Sequence, residues 1–248
     1  GRRALIVGGG YIGLEAAAVA RKLGAVTTLI EAAERILQRV ASMETSDYFR
    51  ALHQGQGVDI RENTKLLRLE GEVGRVKLAV LENGEEIPVD FVITGIGIRP
   101  CQQLAEDAGI QIENGIAVDG MCQTSDPDIL AAGDCASFPY GGQRIRLESV
   151  GNAIDQAEVA AATLARHPKE YSAKPWFWSD QYDTKLQIAG LSAGFDNVET
   201  RKNSENSLSF WYFRNEALLA VDAINDPKAY MVGKRLIETG KSPEPEEI

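Results

Sequence analysis

The sequence predicts an α/β fold that opens on a parallel sheet and passes into an α+β segment towards its C-terminus. Three observations predict it. Gly8, Gly10 and Gly13 form a GxGxxG between a short apolar run and an alanine-rich helical stretch, answered downstream by Glu31. A second apolar run, in ILAAGDCASF, ends at Gly133-Asp134. Beyond Lys169-Glu170 the composition shifts to aromatic and β-branched residues, which favour strands.

The elements follow in order. Ala4–Val7 is apolar and stops at glycines, as a buried parallel strand does. Tyr11–Leu23 has helical spacing and ends at Gly24, a C-terminal cap. Val26–Ile30 is a β-branched strand ending on Glu31, which completes one βαβ unit. Ser42–Gln54 reads as a helix with Ser42 as its N-cap. Lys65–Leu69, Arg75–Leu81 and Glu86–Ile93 alternate and are split by Gly71–Gly74 and Asn83-Gly84, so an antiparallel meander is expected there. Phe91–Thr94 and Ile129–Ala132 read as buried strands, and Ser149–Arg166 as a long helix. Turns at Asn206 and Asn215 and a helix around Lys228–Thr239 complete the C-terminal segment, with SPEPEEI as a fraying tail. The expected segments are 1–95, 96–170 and 171–248.

Composition excludes some classes of function. Of the formal charge of −10, nearly all falls on residues 96–248, which hold 14 Lys+Arg against 23 Asp+Glu. With no basic stripe to neutralise phosphates, nucleic acid is not an expected partner. No apolar run approaches 18 residues, so no membrane span is expected. Cys101, Cys122 and Cys135 form neither CxxC nor a zinc pattern and suit a reducing cytoplasm. His53 and His167 lack metal-like or triad-like companions.

The chemistry-bearing residues cluster at strand ends. Gly8 allows a tight turn, Gly10 lets backbone approach a pyrophosphate, and Gly13 lets the helix pack on the strand. Glu31 is placed to accept from adenosine ribose hydroxyls and to repel a 2′-phosphate, favouring NADH; Arg35 is either a moderator of that preference or a solvated cation. Glu15, read as lying on the helix's first turn, either complements the helix dipole or contacts the nicotinamide. Gly95 and Gly97, after the Phe91–Thr94 strand, permit close ligand approach or form a hinge. Asp134 is a ribitol ligand or an N-cap. The Trp176-Phe177-Trp178 cluster is either core or a surface over a planar cofactor.

IVGGGYIGLEAA, TLIEAAERIL, VDFVITGIGIRP, TSDPDILAAGDCA, RLESVGNAIDQAEVAA and PWFWSDQYDTKLQIAGL together resemble the FAD-dependent, NADH-using ferredoxin and rubredoxin reductases that serve oxygenases, the putidaredoxin-reductase-like group. The resemblance implies a glutathione-reductase-like architecture with two dinucleotide-binding domains and a C-terminal α+β interface domain. It implies FAD and NAD as cofactors, an iron–sulfur ferredoxin or a rubredoxin as electron acceptor, and a monomer or homodimer. Carried onto this chain, Gly8, Gly10, Gly13, Glu31, Gly95 and Gly97 would hold NADH, with Ile12 and Glu15 facing the nicotinamide. Asp134 would bind the flavin ribitol, the stretch from Glu148 through Val150 to Gln156 would line the FAD, and Trp178 would lie near the isoalloxazine with Gln181 close by. The family's first segment of roughly 140 residues, with its own GxGxxG and a lysine beside the flavin, has no counterpart here. The chain is therefore expected to be a fragment that holds NADH weakly or moderately and FAD poorly. Flavin disulfide reductases, NADH oxidases and proteins like apoptosis-inducing factor share enough of the pattern to stand as alternatives.

Overall fold

A computed structural model describes residues 1–245 and 248. Glu246 and Glu247, in the expected tail, lie outside the described residues. The chain divides into two compact units, one of residues 1–97, 178–188 and 192–248 and the other of 98–177 and 189–191.

The first unit begins β1 (Arg3–Val7), α1 (Tyr11–Lys22), β2 (Val26–Ile30), α2 (Met43–Gly55) and β3 (Asp59–Arg61). The chain continues through β4 (Leu66–Glu72), β5 (Arg75–Leu81), β6 (Glu86–Pro88) and β7 (Phe91–Thr94). A parallel sheet has the order β3-β2-β1-β7, with β1 and β2 in register from Arg3↔Val26 to Val7↔Ile30. α1 turns Leu14, Ala17 and Ala18 inwards, and its alanines let it lie close to the strands. Ser42 caps α2 by accepting from Thr45 N at 3.4 Å. The meander forms its own antiparallel sheet, β4-β5-β6. β7 departs from the buried strand expected at Phe91–Thr94. It is the outer strand of the parallel sheet, and Ile93 is 36% exposed. An apolar run reports strand formation; only the neighbours decide what covers it.

The second unit holds α3 (Gln103–Asp107), β8 (Ile116–Ala117), a 3-10 turn at Gly133–Cys135, β9 (Ala136–Tyr140), β10 (Gln143–Ile145) and α4 (Val150–Leu164). The sheet order is β10-β9-β8, around buried Val118, Ala136 and Phe138. No strand forms over Ile129–Ala132. That stretch makes one antiparallel bridge, Gln123↔Leu130, because Thr124 and Asp126 close an Asx-type turn just before it and Gly133 turns the chain just after. The regular strand starts four residues later than Ala132.

The C-terminal part of the first unit comprises β11 (Trp176–Gln181), β12 (Thr184–Gly190), β13 (Asn197–Ser204), β14 (Ser207–Arg214), β15 (Ala217–Ile224) and α5 (Pro227–Glu238). These strands form one sheet in the order β11-β12-β15-β14-β13. Its inner face shares a core with the N-terminal elements, joining Leu186, Phe210, Tyr212 and Ile224 to Ile6, Leu14, Leu29 and Phe49.

A buried polar knot pins that core. Asp222 Oδ2 accepts from Tyr212 Oη at 2.5 Å and from Thr45 Oγ1 at 2.9 Å, while Tyr212 Oη accepts from Ser42 N at 3.1 Å. The N-cap of α2 is thereby tied to β14 and β15. Burial pushes the Asp222 carboxyl up from 3.8 to about 6, against the opposing pull of its two hydroxyl donors. Below about pH 4 the group is protonated whether the chain is folded or not, and it has no effect on stability. Between pH 4 and 6 the unfolded chain releases a proton that the folded chain keeps, so the folded state loses roughly 3 kcal/mol by the time pH passes 6. Asp222→Asn, which keeps an acceptor oxygen and never ionises, is expected to gain stability over the parent chain as pH rises from 4 to 7. Urea denaturation across that range measures the difference; a constant offset would contradict it.

Candidate dinucleotide-binding site

The glycine cradle is built from backbone. Gly8, at φ +106°, donates to Ile30 O at 2.8 Å, and a side chain on it would be driven into the Gly95 carbonyl. A side chain at Gly13 would strike the Gly8 carbonyl oxygen. Gly10 is different. It is the N-cap of α1, makes no side-chain cap and has an ordinary negative φ, and a Cβ there would meet nothing within 4 Å. The first N–H groups of α1 therefore face open space beside a position with no side chain, which fits an anionic pyrophosphate.

Glu31 closes one side. Its Oε2 accepts from Gly9 N at 2.6 Å and its Oε1 from Ala33 N at 2.8 Å. A carboxylate has about four lone-pair sites, so capacity for two ribose hydroxyls remains. Next to it, a cleft of about 500 Å³ opens at the carboxyl ends of β2 and β3, lined by Ala32, Asn63, Thr64 and Lys65 among others. Arg35 is not the solvated cation of the bland reading. It is half-buried and braces the following loop, donating to Ala41 O at 2.8 Å, to Ser42 O at 3.0 Å and to Ser46 Oγ. Sequence spacing does not reveal that use, because the carbonyls it needs converge only when the loop folds back.

Ile12 stands 64% exposed at the start of α1, and its Cγ2 lies 3.6 Å from where a Gly95 Cβ would be. Gly97 follows at φ +105°, near Arg39. Glu15 lies on the second turn of α1, not the first, which contains no acid, so the dipole reading loses its position. Its Oε1 accepts from Ser179 Oγ at 2.6 Å. That bond anchors β11, and with it the neighbouring Trp178, 37% exposed, to α1. Gln181 is fully buried between His53 and Ser179.

In the second unit, Asp134 is exposed on its 3-10 turn. Its carbonyl accepts from Arg146 Nη1 at 2.9 Å, and Arg146 Nη1 also pairs with Glu148 at 2.6 Å. Asp134 and Glu148 are thus held by one arginine that the sequence did not single out. Val150 is exposed at the first position of α4, whose cap Ser149 accepts from Asn152 N. Gly133 N donates to Gln156 Oε1 at 2.7 Å, which fastens the turn to α4. An exposed carboxylate beside a helix N-terminus suits a polyol and phosphate-bearing ligand.

A parallel sheet with a glycine-built cradle at its carboxyl end and a carboxylate on the next strand defines a dinucleotide-binding α/β protein. The chain belongs to the pyridine nucleotide-disulphide oxidoreductase family, which matches residues 1–161; residues 176–248 match the reductase C-terminal family. It is 46% identical to a ferredoxin–NAD(P)(+) reductase of Sphingomonas sp over 98% of this chain and 60% of that protein. It is 42% identical to putidaredoxin reductase of Pseudomonas putida over 95% of this chain and 57% of the other. The crystal structure of the ferredoxin reductase for the CYP199A2 system from Rhodopseudomonas palustris superposes with a TM-score of 0.96 at 39% identity, covering 99% of this chain and 62% of that one. The chain spans about 60% of the length of such relatives. Among the described residues no helix is long and apolar enough to cross a membrane.

Two neighbouring glycines separate fold from ligand. Gly10→Ala is expected to leave stability within about 0.5 kcal/mol of the parent, since nothing collides, yet to weaken NADH binding tenfold or so by filling the cradle. Gly13→Ala is expected to lose at least roughly 2 kcal/mol, because backbone and not side chain must give way. Thermal melts and NADH titrations of the two variants test both statements.

Proposed function

We propose that this chain forms the NADH-binding portion, one segment of the FAD-binding portion and the C-terminal portion of an NADH-dependent flavoprotein reductase. Its electrons go to a ferredoxin or rubredoxin, as part of an oxygenase system. The observation that carries the reading is the Ser179–Glu15 bond, which brings the aromatic C-terminal strand to the helix of the glycine cradle. Segments 1–95, 96–170 and 171–248 take the roles of NAD-binding domain, second FAD-binding segment and interface domain. The names of the relatives, a ferredoxin reductase and a putidaredoxin reductase, support the choice of an iron–sulfur acceptor.

Bound FAD supplies the chemistry, taking a hydride from NADH and releasing electrons one at a time. The residues of this chain bind and orient. Gly8, Gly10 and Gly13 admit the pyrophosphate to the α1 N-terminus, while Gly95 and Gly97 allow the nicotinamide half to approach. Ile12 presents an apolar surface to the nicotinamide, and Glu15 a carboxylate. Asp134, Glu148 and Val150 take the ribitol side of the flavin, and Trp178 stands beside its ring. No nucleophile or acid–base pair is called for. Free thiols at Cys101, Cys122 and Cys135 suit a cytoplasmic setting.

Glu31 makes the cofactor NADH. With Arg35 committed to the loop, no neighbouring cation offsets its repulsion of a 2′-phosphate. Glu31→Arg is therefore expected to shift the NADH-to-NADPH affinity ratio towards NADPH by about a hundredfold, the sum of a lost and a gained charge contact. An unchanged ratio removes Glu31 from the site. The reading as a whole is tested by NADH-driven reduction of a purified ferredoxin and a purified rubredoxin by the full-length flavoprotein. Electrons delivered only to oxygen or to disulfides would replace it with an oxidase or disulfide reductase.

A further inference from the structure

His53 is fully buried, and its two ring nitrogens are both engaged within the first unit. Nε2 lies 2.7 Å from Gln181 Oε1, and Nδ1 lies 3.2 Å from Tyr182 Oη. Gln181 Nε2 donates to Ser179 Oγ at 3.0 Å, and Ser179 donates to Glu15 Oε1 at 2.6 Å. The donors have one consistent direction. Ser179 has a single proton, given to Glu15, so its lone pair takes the Gln181 amide. Gln181 then turns its oxygen to His53, whose Nε2 must carry the hydrogen. That leaves Nδ1 as acceptor for the Tyr182 hydroxyl. Gln181 and Ser179 are fully buried, and Tyr182 holds a left-handed backbone at φ +59°, an unusual conformation for a bulky residue. None of these five residues is used in this way by the fold alone: the hydrophobic core passes beside the chain of bonds without needing it.

We propose that Tyr182, His53, Gln181 and Ser179 form a one-way hydrogen-bond chain that holds the Glu15 carboxylate in place and biases the site towards the oxidised, cationic nicotinamide. Four dipoles aligned head to tail polarise one another and end on a negative charge, so they stabilise that charge and fix its direction. A carboxylate so held attracts a ring bearing a positive charge more than a neutral one. Loss of a hydride gives the nicotinamide that positive charge, and the ordered carboxylate is in place before it develops. Burial lowers the His53 pKa, partly offset by the Gln181 bond, consistent with a neutral ring that relays donors rather than a cation. Ser179 is the positioning residue, acting through Glu15.

The inference rests on the proposed function's placement of Glu15 beside the nicotinamide, and the experiment separates the two. On the FAD-loaded full-length protein, dissociation constants are measured for NAD⁺ and for 1,4,5,6-tetrahydro-NAD, a neutral analogue that transfers no hydride. Glu15→Gln is expected to weaken NAD⁺ relative to the analogue about tenfold, and Ser179→Ala about threefold to fivefold, while the double variant adds nothing beyond Glu15→Gln. An unchanged ratio in Glu15→Gln overturns the placement of Glu15 and the chain with it. A changed ratio there with an unchanged ratio in Ser179→Ala overturns the chain alone. A measurement on the unmodified protein guards against a misfolded variant. Nitrogen-15 NMR is expected to show His53 neutral at pH 7 as the Nε2–H tautomer; the Nδ1–H tautomer or a charged ring breaks the direction and overturns the proposal.

Discussion

The close approach of α1 to the turn after β1 is the constraint on which the rest of the structure depends. It exists because position 13 carries no side chain: any Cβ there would occupy the space of the Gly8 carbonyl oxygen. Gly8 in turn lies against the Gly95 carbonyl, so three glycines from two strand ends and one helix share a contact that only bare backbone can make. That contact sets where the N-terminus of α1 points and where the end of β7 lies. It also sets the position of Glu15 one turn further along, hence the place where Ser179 of the C-terminal sheet meets it.

A second level of organisation links parts of the chain distant in sequence. The apolar core runs from Ile6 and Leu14 to Phe210 and Ile224, so the C-terminal sheet completes the cover of the nucleotide-binding helices. Within that core, two polar systems have different characters. The Asp222 knot joins elements and carries a carboxyl whose charge is disfavoured by burial. The His53 chain leads to the half-buried Glu15, at the cradle, and ends on a carboxylate. The first resists charge and the second supports it, because the number of donors aimed at each carboxylate and its access to water differ.

Much of the fold was legible because its signals are local. The βαβ unit, the Ser42 and Ser149 caps and the turns at Asn83-Gly84 and Asn215 each depend on a few adjacent residues, and each appears where the pattern places it. The misreadings share one cause. Phe91–Thr94 is apolar yet lies at a sheet edge, and Ile129–Ala132 is apolar yet held in a turn by Thr124 and Asp126 on one side and Gly133 on the other. Apolar character is a property of the residue, whereas burial is a property of its neighbours.

The sequence by itself determined the glycine cradle, the acid at the end of β2 and the family to which the motifs belong, since all three lie within short stretches whose spacing is their meaning. Only the tertiary structure decided what Arg35, Arg146, His53 and Gln181 do. Their partners stand 6 to 128 residues away along the chain. Hydrogen bonding acts over about 3 Å, and no periodicity records which distant groups folding will bring within that reach.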